Sequence, residues 1–201
     1  MKRGLIVIIL AGLAFALYWY LFKRKGNHPS GTPPEPIGLK KHSSAFNTNI
    51  DSMVNAYLRL SNEFINQDTT AIKQATREFL SRTDSLNMEE LKNDTLVIRQ
   101  AVESNLDDLR SNAQSLLLQT DITEMRQDFR MITEMLYPVF FKTVNYEGPK
   151  LYLFYCDNAF GPEKGANWIS KSTALRNPYL DNTKSANTTP CGEIKDTIKA
   201  H

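Results

Sequence analysis

Cysteine and histidine are scarce in this chain of 201 residues, which carries two Cys and three His. Two Cys exclude a disulfide-dense scaffold and a four-Cys zinc site. The three His are His28 and His42, in a proline-rich stretch near the N-terminus, and His201, the last residue. None is expected inside a fold, which removes Ser-His-Asp and Cys-His chemistry and His-bearing zinc sites. A phosphate-binding loop and a G-x-G-x-x-G turn are also missing. The carboxylate pairs Glu89-Glu90 and Asp107-Asp108 are adjacent in sequence, so they point apart on a helix and read as solvated faces. With no nucleophile–base constellation, no catalytic residue is assigned and the chain reads as non-enzymatic. A basic surface is lacking too. Residues 1–25 hold five of the 24 Lys/Arg and no Asp or Glu, which leaves 19 basic against 22 acidic residues in the remainder. A slightly acidic body argues against nucleic acid as a partner.

One long apolar run is present. Leu5 to Phe22 (LIVIILAGLAFALYWYLF) has no charged residue, and its 18 residues reach about 27 Å as a helix, enough to cross a bilayer core. Tyr18, Trp19 and Tyr20 sit at one end, where amphipathic rings favour the interface. Lys2, Arg3 and Lys23 to Lys25 flank both ends, so charge bias does not set the orientation. The reading is an uncleaved N-terminal membrane anchor over 1–25. A cleaved signal peptide, giving a secreted protein, is the alternative. Residues 26–45 hold Pro29, Pro33, Pro34 and Pro36 with Gly26, Gly31 and Gly38, and read as a semi-extended linker. The soluble domain is then 46–201.

From 46 to 141 the apolar residues recur with helical period. Phe46, Ile50, Met53, Val54, Tyr57, Leu60 and Phe64 form one stripe. Asp68 or Thr69 can cap a second helix that buries Ile72, Ala75, Phe79 and Leu80. A third runs from about Asp94 to Leu118, with Ile98, Val102, Leu109, Ala113, Leu116 and Leu117 inward. A fourth starts at Asp121 with Glu124 three residues on, carries Ile122, Met125, Phe129, Ile132, Leu136, Val139 and Phe140, and ends near Pro138. Four such helices can bury their stripes only against one another. The expected fold is therefore mainly α: an antiparallel four-helix bundle with a small loop-rich or β tail, preceded by one transmembrane helix.

After Glu147-Gly148-Pro149 the texture changes. Lys150 to Tyr155 is aromatic and reads as a strand, with further short strands expected around 166–170 and 191–195. The run Tyr155-Cys156-x-x-Ala159, then Gly165-Ala166-x-Trp168, Arg176-Asn177-Pro178-Tyr179 and Cys191-Gly192-Glu193 resembles the bacterial family called domain of unknown function 3347, over about 46–195. That resemblance implies an envelope protein on the inner membrane, facing the periplasm. It also implies an association with copper or silver handling and with efflux adaptor subunits as partners; no reaction is attributed to the family. The family pattern places Pro and Met where this chain has Asp157 and Asn158, a second Met near Thr188, and Tyr where Asn167 stands. Cu(I) favours thiolate and thioether ligands, so the two missing thioethers leave at most a two-Cys site in this motif.

Two readings of Cys156 and Cys191 stay open: a soft-metal site, or a disulfide closing a loop in an oxidising compartment. The two states exclude each other at any moment, because a disulfide cannot ligate as thiolate. Met131 and Met135, four residues apart on the fourth helix, could present two thioethers but read as packing. Tyr152, Phe154, Tyr155, Trp168 and Tyr179 read first as rings that pin the tail to the helices. Trp168, Tyr179 and Asn177 are also the candidates for an exposed interaction surface.

Overall fold

The structure, a computed structural model, describes residues 42–180 and 191–198. The expected membrane span, most of the linker, His28, Thr188 and His201 lie outside the described residues. Among the described residues no helix is long and apolar enough to cross a membrane. The fold is mainly helical, with a small three-stranded antiparallel sheet at its C-terminal end.

Four long helices follow the four apolar stripes, and each begins where a short polar side chain satisfies free N–H groups. Helix α1 spans Ser44–Asn66, and the Ser43 hydroxyl accepts from the Phe46 N–H at 3.1 Å. It begins two residues before the stripe, inside the expected linker. Gln67 ends it in the left-handed region (φ 59°). Helix α2 spans Thr69–Asp84 under an Asp68 cap that accepts from Thr70 and Ala71, both at 2.9 Å. Helix α3 spans Leu96–Leu118, capped by Thr95. Helix α4 spans Ile122–Glu134, capped by Asp121. Backbone donors of Thr123 and Glu124 hold the Asp121 carboxyl below its ordinary range. A 3-10 turn, Met88–Asn93, joins α2 to α3 and buries Leu91.

The stripes form one core. Every apolar residue assigned to the first stripe is buried, as are Ile72, Phe79, Ile98, Val102, Leu109, Phe129 and Ile132. Successive helices pack on one another. Helices α1 and α4 also meet, with the Phe129 ring 5.2 Å from Tyr57 and 4.7 Å from Phe64. The fourth stripe departs from expectation at its end. After Glu134 the chain makes a wider π-type turn over Met135–Phe140, with Tyr137 extended (φ −136°) before Pro138, then a single helical turn, α5, Phe141–Thr143. The break turns Val139 outward to 40 % exposure, while Leu136 and Phe140 stay buried. Proline cannot continue the ladder of N–H bonds, and its ring disfavours helical backbone at the preceding residue.

The tail folds back on these helices. Strand β1 (Leu151–Cys156) is central, between β2 (Ala166–Ser170) and β3 (Glu193–Ile198). Both neighbours are antiparallel, with Cys156 opposite Ala166 and Tyr155 opposite Glu193. A register shift at Leu153/Phe154 interrupts the β1–β3 pairing. Strand β2 packs on α1 and α4. By contrast, β3 is an exposed edge strand in which only Ile198 is buried.

His42 corrects the expectation that no histidine belongs to the fold. Its side chain is 6 % exposed, its ring lies 4.5 Å from Phe46, and its nitrogens stand 3.7 Å from Glu90 and 4.0 Å from Asp94. The Ser43 hydroxyl donates to Glu90 at 2.5 Å rather than to the imidazole. Bonds from Ser43 hold the Glu90 carboxyl below its usual range. The acidic pairs are engaged in the same local way: Glu89 pairs with Lys92, and Asp107 with Arg110.

Candidate functional site

The two cysteines meet at one end of the sheet. Cys156 is the last residue of β1 and Cys191 precedes β3 by two residues. Their Sγ atoms are 2.19 Å apart and their Cα atoms 5.3 Å apart, a disulfide across 35 positions of sequence. Cys156 is buried and Cys191 is partly exposed.

The motif residues around the pair act as its frame. Asn177 donates through Nδ2 to the Cys191 carbonyl at 2.8 Å, and its Oδ1 accepts from the Tyr179 N–H at 2.8 Å. One amide side chain thus fixes two separate stretches of backbone. The Tyr179 hydroxyl donates to the Asn167 carbonyl at 2.7 Å, tying the same stretch to β2. Trp168 stacks on Phe154 at 5.1 Å and meets Tyr179 edge-on at 6.2 Å. Gly192 lies directly on the indole: a Cβ there would sit 2.6 Å from Trp168 Cη2 and 2.5 Å from Leu175 Cδ1, and its φ is +150°. Glycine is needed at 192 for close approach and for backbone conformation alike.

This geometry corrects the proposed interaction surface. Trp168, Tyr179 and Asn177 are buried at 1 %, 4 % and 6 % exposure, so none presents a face to a partner. They pack the tail, as the other reading of the aromatic cluster held. Tyr152 and Tyr155 are half-buried, beneath the ammonium groups of Lys150 (4.9 Å) and Lys195 (4.3 Å). Met131 and Met135 are half-buried on the helices, and Met135 packs against the core.

Several residues that hold the tail carry no sequence motif. The Tyr57 hydroxyl accepts from the Ile169 N–H (3.1 Å) and bonds Thr133 Oγ1 (2.7 Å), which in turn donates to the Phe129 carbonyl (3.1 Å). One phenol thus links α1, α4 and β2. Burial pushes its pKa upward, as it does for Tyr179, so both remain donors at neutral pH. The Arg126 guanidinium, buried on α4, donates to the carbonyls of Pro178 (3.1 Å) and Leu180 (2.8 Å). A charged residue interrupting the apolar stripe next to Met125 was the only signal of it. Tyr137 donates to the Asp196 carboxylate on β3. Burial, then Asp196, push the phenol up to about 12, and this hydrogen bond holds Asp196 low.

Asp157 stands beside the pair, at a position where the resemblance implies proline. Its Oδ1 lies 3.4 Å from Cys191 Sγ, and one donor atom from each of Cys156, Asp157 and Cys191 lies within 4.8 Å of the others. An open cleft of about 310 Å³, lined by Tyr155, Asp157, Cys191, Gly192 and Glu193, exposes this side of the pair. In the disulfide state the sulfurs offer no thiolate, and Asp157 and Glu193 are the anionic groups of the cleft.

No curated protein and no solved structure matches the chain. A family described as protein of unknown function (DUF3347) matches residues 53–147. That stretch runs from within α1 to the residues just before β1, so the match rests on the helices and stops before the cysteine-bearing tail. Over residues 53–147 the chain is similar to this family.

Proposed function

We propose that the chain is a non-enzymatic domain displayed outside the bilayer in an oxidising compartment, stapled by its own disulfide and used for docking rather than for chemistry. In this reading residues 5–22 form an uncleaved single-pass helix in the inner membrane. Residues 26–41 hold the domain away from the surface on the periplasmic side, and the four helices make an antiparallel bundle that carries the tail. Cleavage after the apolar run would instead give a secreted domain with the same tail. The observation that carries the proposal is the bonding distance between Cys156 and Cys191 at the root of a strand with one buried side chain. Disulfides persist where the compartment is oxidising. The test is differential alkylation and mass spectrometry of the full chain taken from its native membrane fraction. A blocked Cys156–Cys191 pair is expected; a free dithiol sinks the staple.

A second reading is favoured by the donor cluster at the same place. The reduced pair would take a soft ion such as Cu(I) or Ag(I), consistent with copper or silver handling beside an efflux adaptor. Thiolates suit these ions. Titration of the reduced full chain with Cu(I) tests it, and binding no tighter than that of the Cys156→Ser/Cys191→Ser variant rejects it.

A further inference from the structure

We infer that reduction of the disulfide opens a site for a zinc-like divalent ion, with Cys156, Cys191 and Asp157 as ligands, and that oxidation closes it. The inference deepens the metal reading of this site and rests on it for the location; the class of ion and the role of Asp157 are new. Three donors of the right kind converge, with one ligand atom from each residue within 4.8 Å of the others. The distance from Cys191 Sγ to Asp157 Oδ1 is 3.4 Å. A tetrahedral ion with metal–sulfur bonds of about 2.3 Å and metal–oxygen bonds of about 2.1 Å has a sulfur–oxygen edge of about 3.6 Å. The carboxylate is therefore already at ligand spacing from the outer sulfur. The Cα separation of 5.3 Å lets the two thiolates part by side-chain rotation, while Asn177 holds the Cys191 carbonyl from outside β3.

The surroundings fit a site with an open position. Cys156 closes the inner side, and the cleft beside Asp157 and Cys191 admits solvent and carries Glu193 as a further oxygen donor. A fourth ligand can come from water or from Glu193. The donor set also sets the class of ion. Two thiolates with a carboxylate are a borderline set that suits Zn²⁺, whereas Cu(I) gains little from carboxylate oxygen. The chain lacks thioethers in the described residues around the pair, and it has Asp157 at the ligand distance instead.

The redox step balances with a dithiol as reductant. The Cys156–Cys191 bond breaks, the protein sulfurs take up two electrons and two protons, and the dithiol becomes a disulfide. Binding of M²⁺ then displaces the two thiol protons. Reoxidation needs the ion to leave, because neither sulfur can form the disulfide while both serve as thiolate ligands.

The experiment uses the full chain, reduced with a phosphine and freed of it under anaerobic conditions. It is titrated with Zn²⁺ against a chromophoric chelator, and in parallel with Cu(I). One Zn²⁺ per reduced chain is expected, with none taken by the oxidised chain. Asp157 is exposed, so Asp157→Ala should keep the fold, which the melting curve of its oxidised form checks. That variant should lose Zn²⁺ affinity by at least about tenfold and keep its Cu(I) affinity within about threefold. Co²⁺ substitution should give a thiolate charge-transfer band that Asp157→Ala shifts. Zn²⁺ affinity equal in wild type and Asp157→Ala overturns the inference. If Cu(I) still binds through the cysteines in that case, the metal reading of the site survives; if neither ion distinguishes wild type from the double Cys→Ser variant, both fail.

Discussion

Reducing the disulfide should release β3 while leaving the helices folded. The six residues of β3 bury one large side chain, Ile198, worth about 2 kcal/mol. The ladder to β1 contributes roughly 5 kcal/mol at about 1 kcal/mol per bond. The Tyr137–Asp196 bond and the Lys195–Tyr155 contact add roughly 1 kcal/mol together. Against these gains, ordering six backbone residues costs roughly 6–12 kcal/mol. The strand alone is therefore close to balance, and the tether decides. Closing a loop across 35 positions removes about 3.8 kcal/mol of chain entropy from the open state at 25 °C. At about 1.4 kcal/mol per decade, that is a factor of roughly 10²–10³ in the closed-to-open ratio.

The assay is amide hydrogen exchange on the oxidised and reduced full chain. In the oxidised protein the β3 amides should be protected by roughly 10²–10³ more than in the reduced one. Protection in α1 and α4 should change by less than about threefold, since the disulfide holds the root of β3 and neither helix starts or ends at it. Equal β3 exchange in both states would refute the balance worked above. Matching losses in the helices would show that the disulfide supports the whole fold and not its edge.

Three other perturbations follow from the same contacts. Gly192→Ala places a Cβ 2.6 Å from Trp168 and 2.5 Å from Leu175, at φ +150°; a loss of about 1–3 kcal/mol is expected in urea denaturation, and a change under about 0.5 kcal/mol counts against the packing described. Tyr57→Phe leaves the Ile169 N–H without its acceptor and Thr133 without its donor, at a cost of about 1–3 kcal/mol; in a double-mutant cycle with Thr133→Val the two losses should not add. Asp196 has a lowered folded pKa and Tyr137 a raised one. The Asp196 contribution is therefore present above the ordinary aspartate range, near pH 4, and lost as pH falls through the depressed value. That of Tyr137 is present below about pH 10 and lost as pH rises through about 12. Exchange of β3 should quicken at both extremes, and Asp196→Asn should flatten the acid limb.

The helices were legible because each carries an apolar stripe of helical period, and the second and fourth a capping residue as well. Asp68 and Asp121 mark starts that the structure keeps. The third helix starts at Leu96 under a Thr95 cap, two residues after the expected Asp94. Val139 was misassigned because a period cannot foresee the turn at Tyr137 and Pro138. The 3-10 turn at Met88–Asn93 is too short to show a period. In the tail, strand positions followed from aromatic content, but β3 began two residues later than expected, since its alternation is mostly exposed. Asp157 was visible as a departure from a pattern, yet its place beside Cys191 depends on a register between strands far apart in sequence. Arg126 and Tyr57 were invisible as tail supports for the same reason: their partners are backbone atoms, which a sequence does not distinguish.

The buried motif residues separate two roles that the cysteine pair could combine. Asn177 holds the Cys191 carbonyl, Gly192 admits the indole of Trp168, and Tyr179 ties that stretch to β2. Asn177 and Trp168 meet the backbone at 191–192 and Tyr179 supports both, and none offers a ligand atom to the pair. Their presence is therefore accounted for by positioning Cys191 against Cys156. Residues 157 and 158 lie outside this frame, on an exposed turn. Substitution there changes what stands beside the sulfurs without disturbing how they are held. A chain can thus keep its staple while a carboxylate comes to stand beside the sulfurs. On this reasoning Asp157→Ala and Asn177→Ala should fail in different ways. The first should alter only ligand binding by the reduced pair. The second should loosen the tail in the oxidised protein too, because the Cys191 carbonyl and the Tyr179 N–H both lose their partner, at roughly 1–3 kcal/mol. If melting of the oxidised chain responds equally to both substitutions, the frame and the donor are one unit and the separation is wrong.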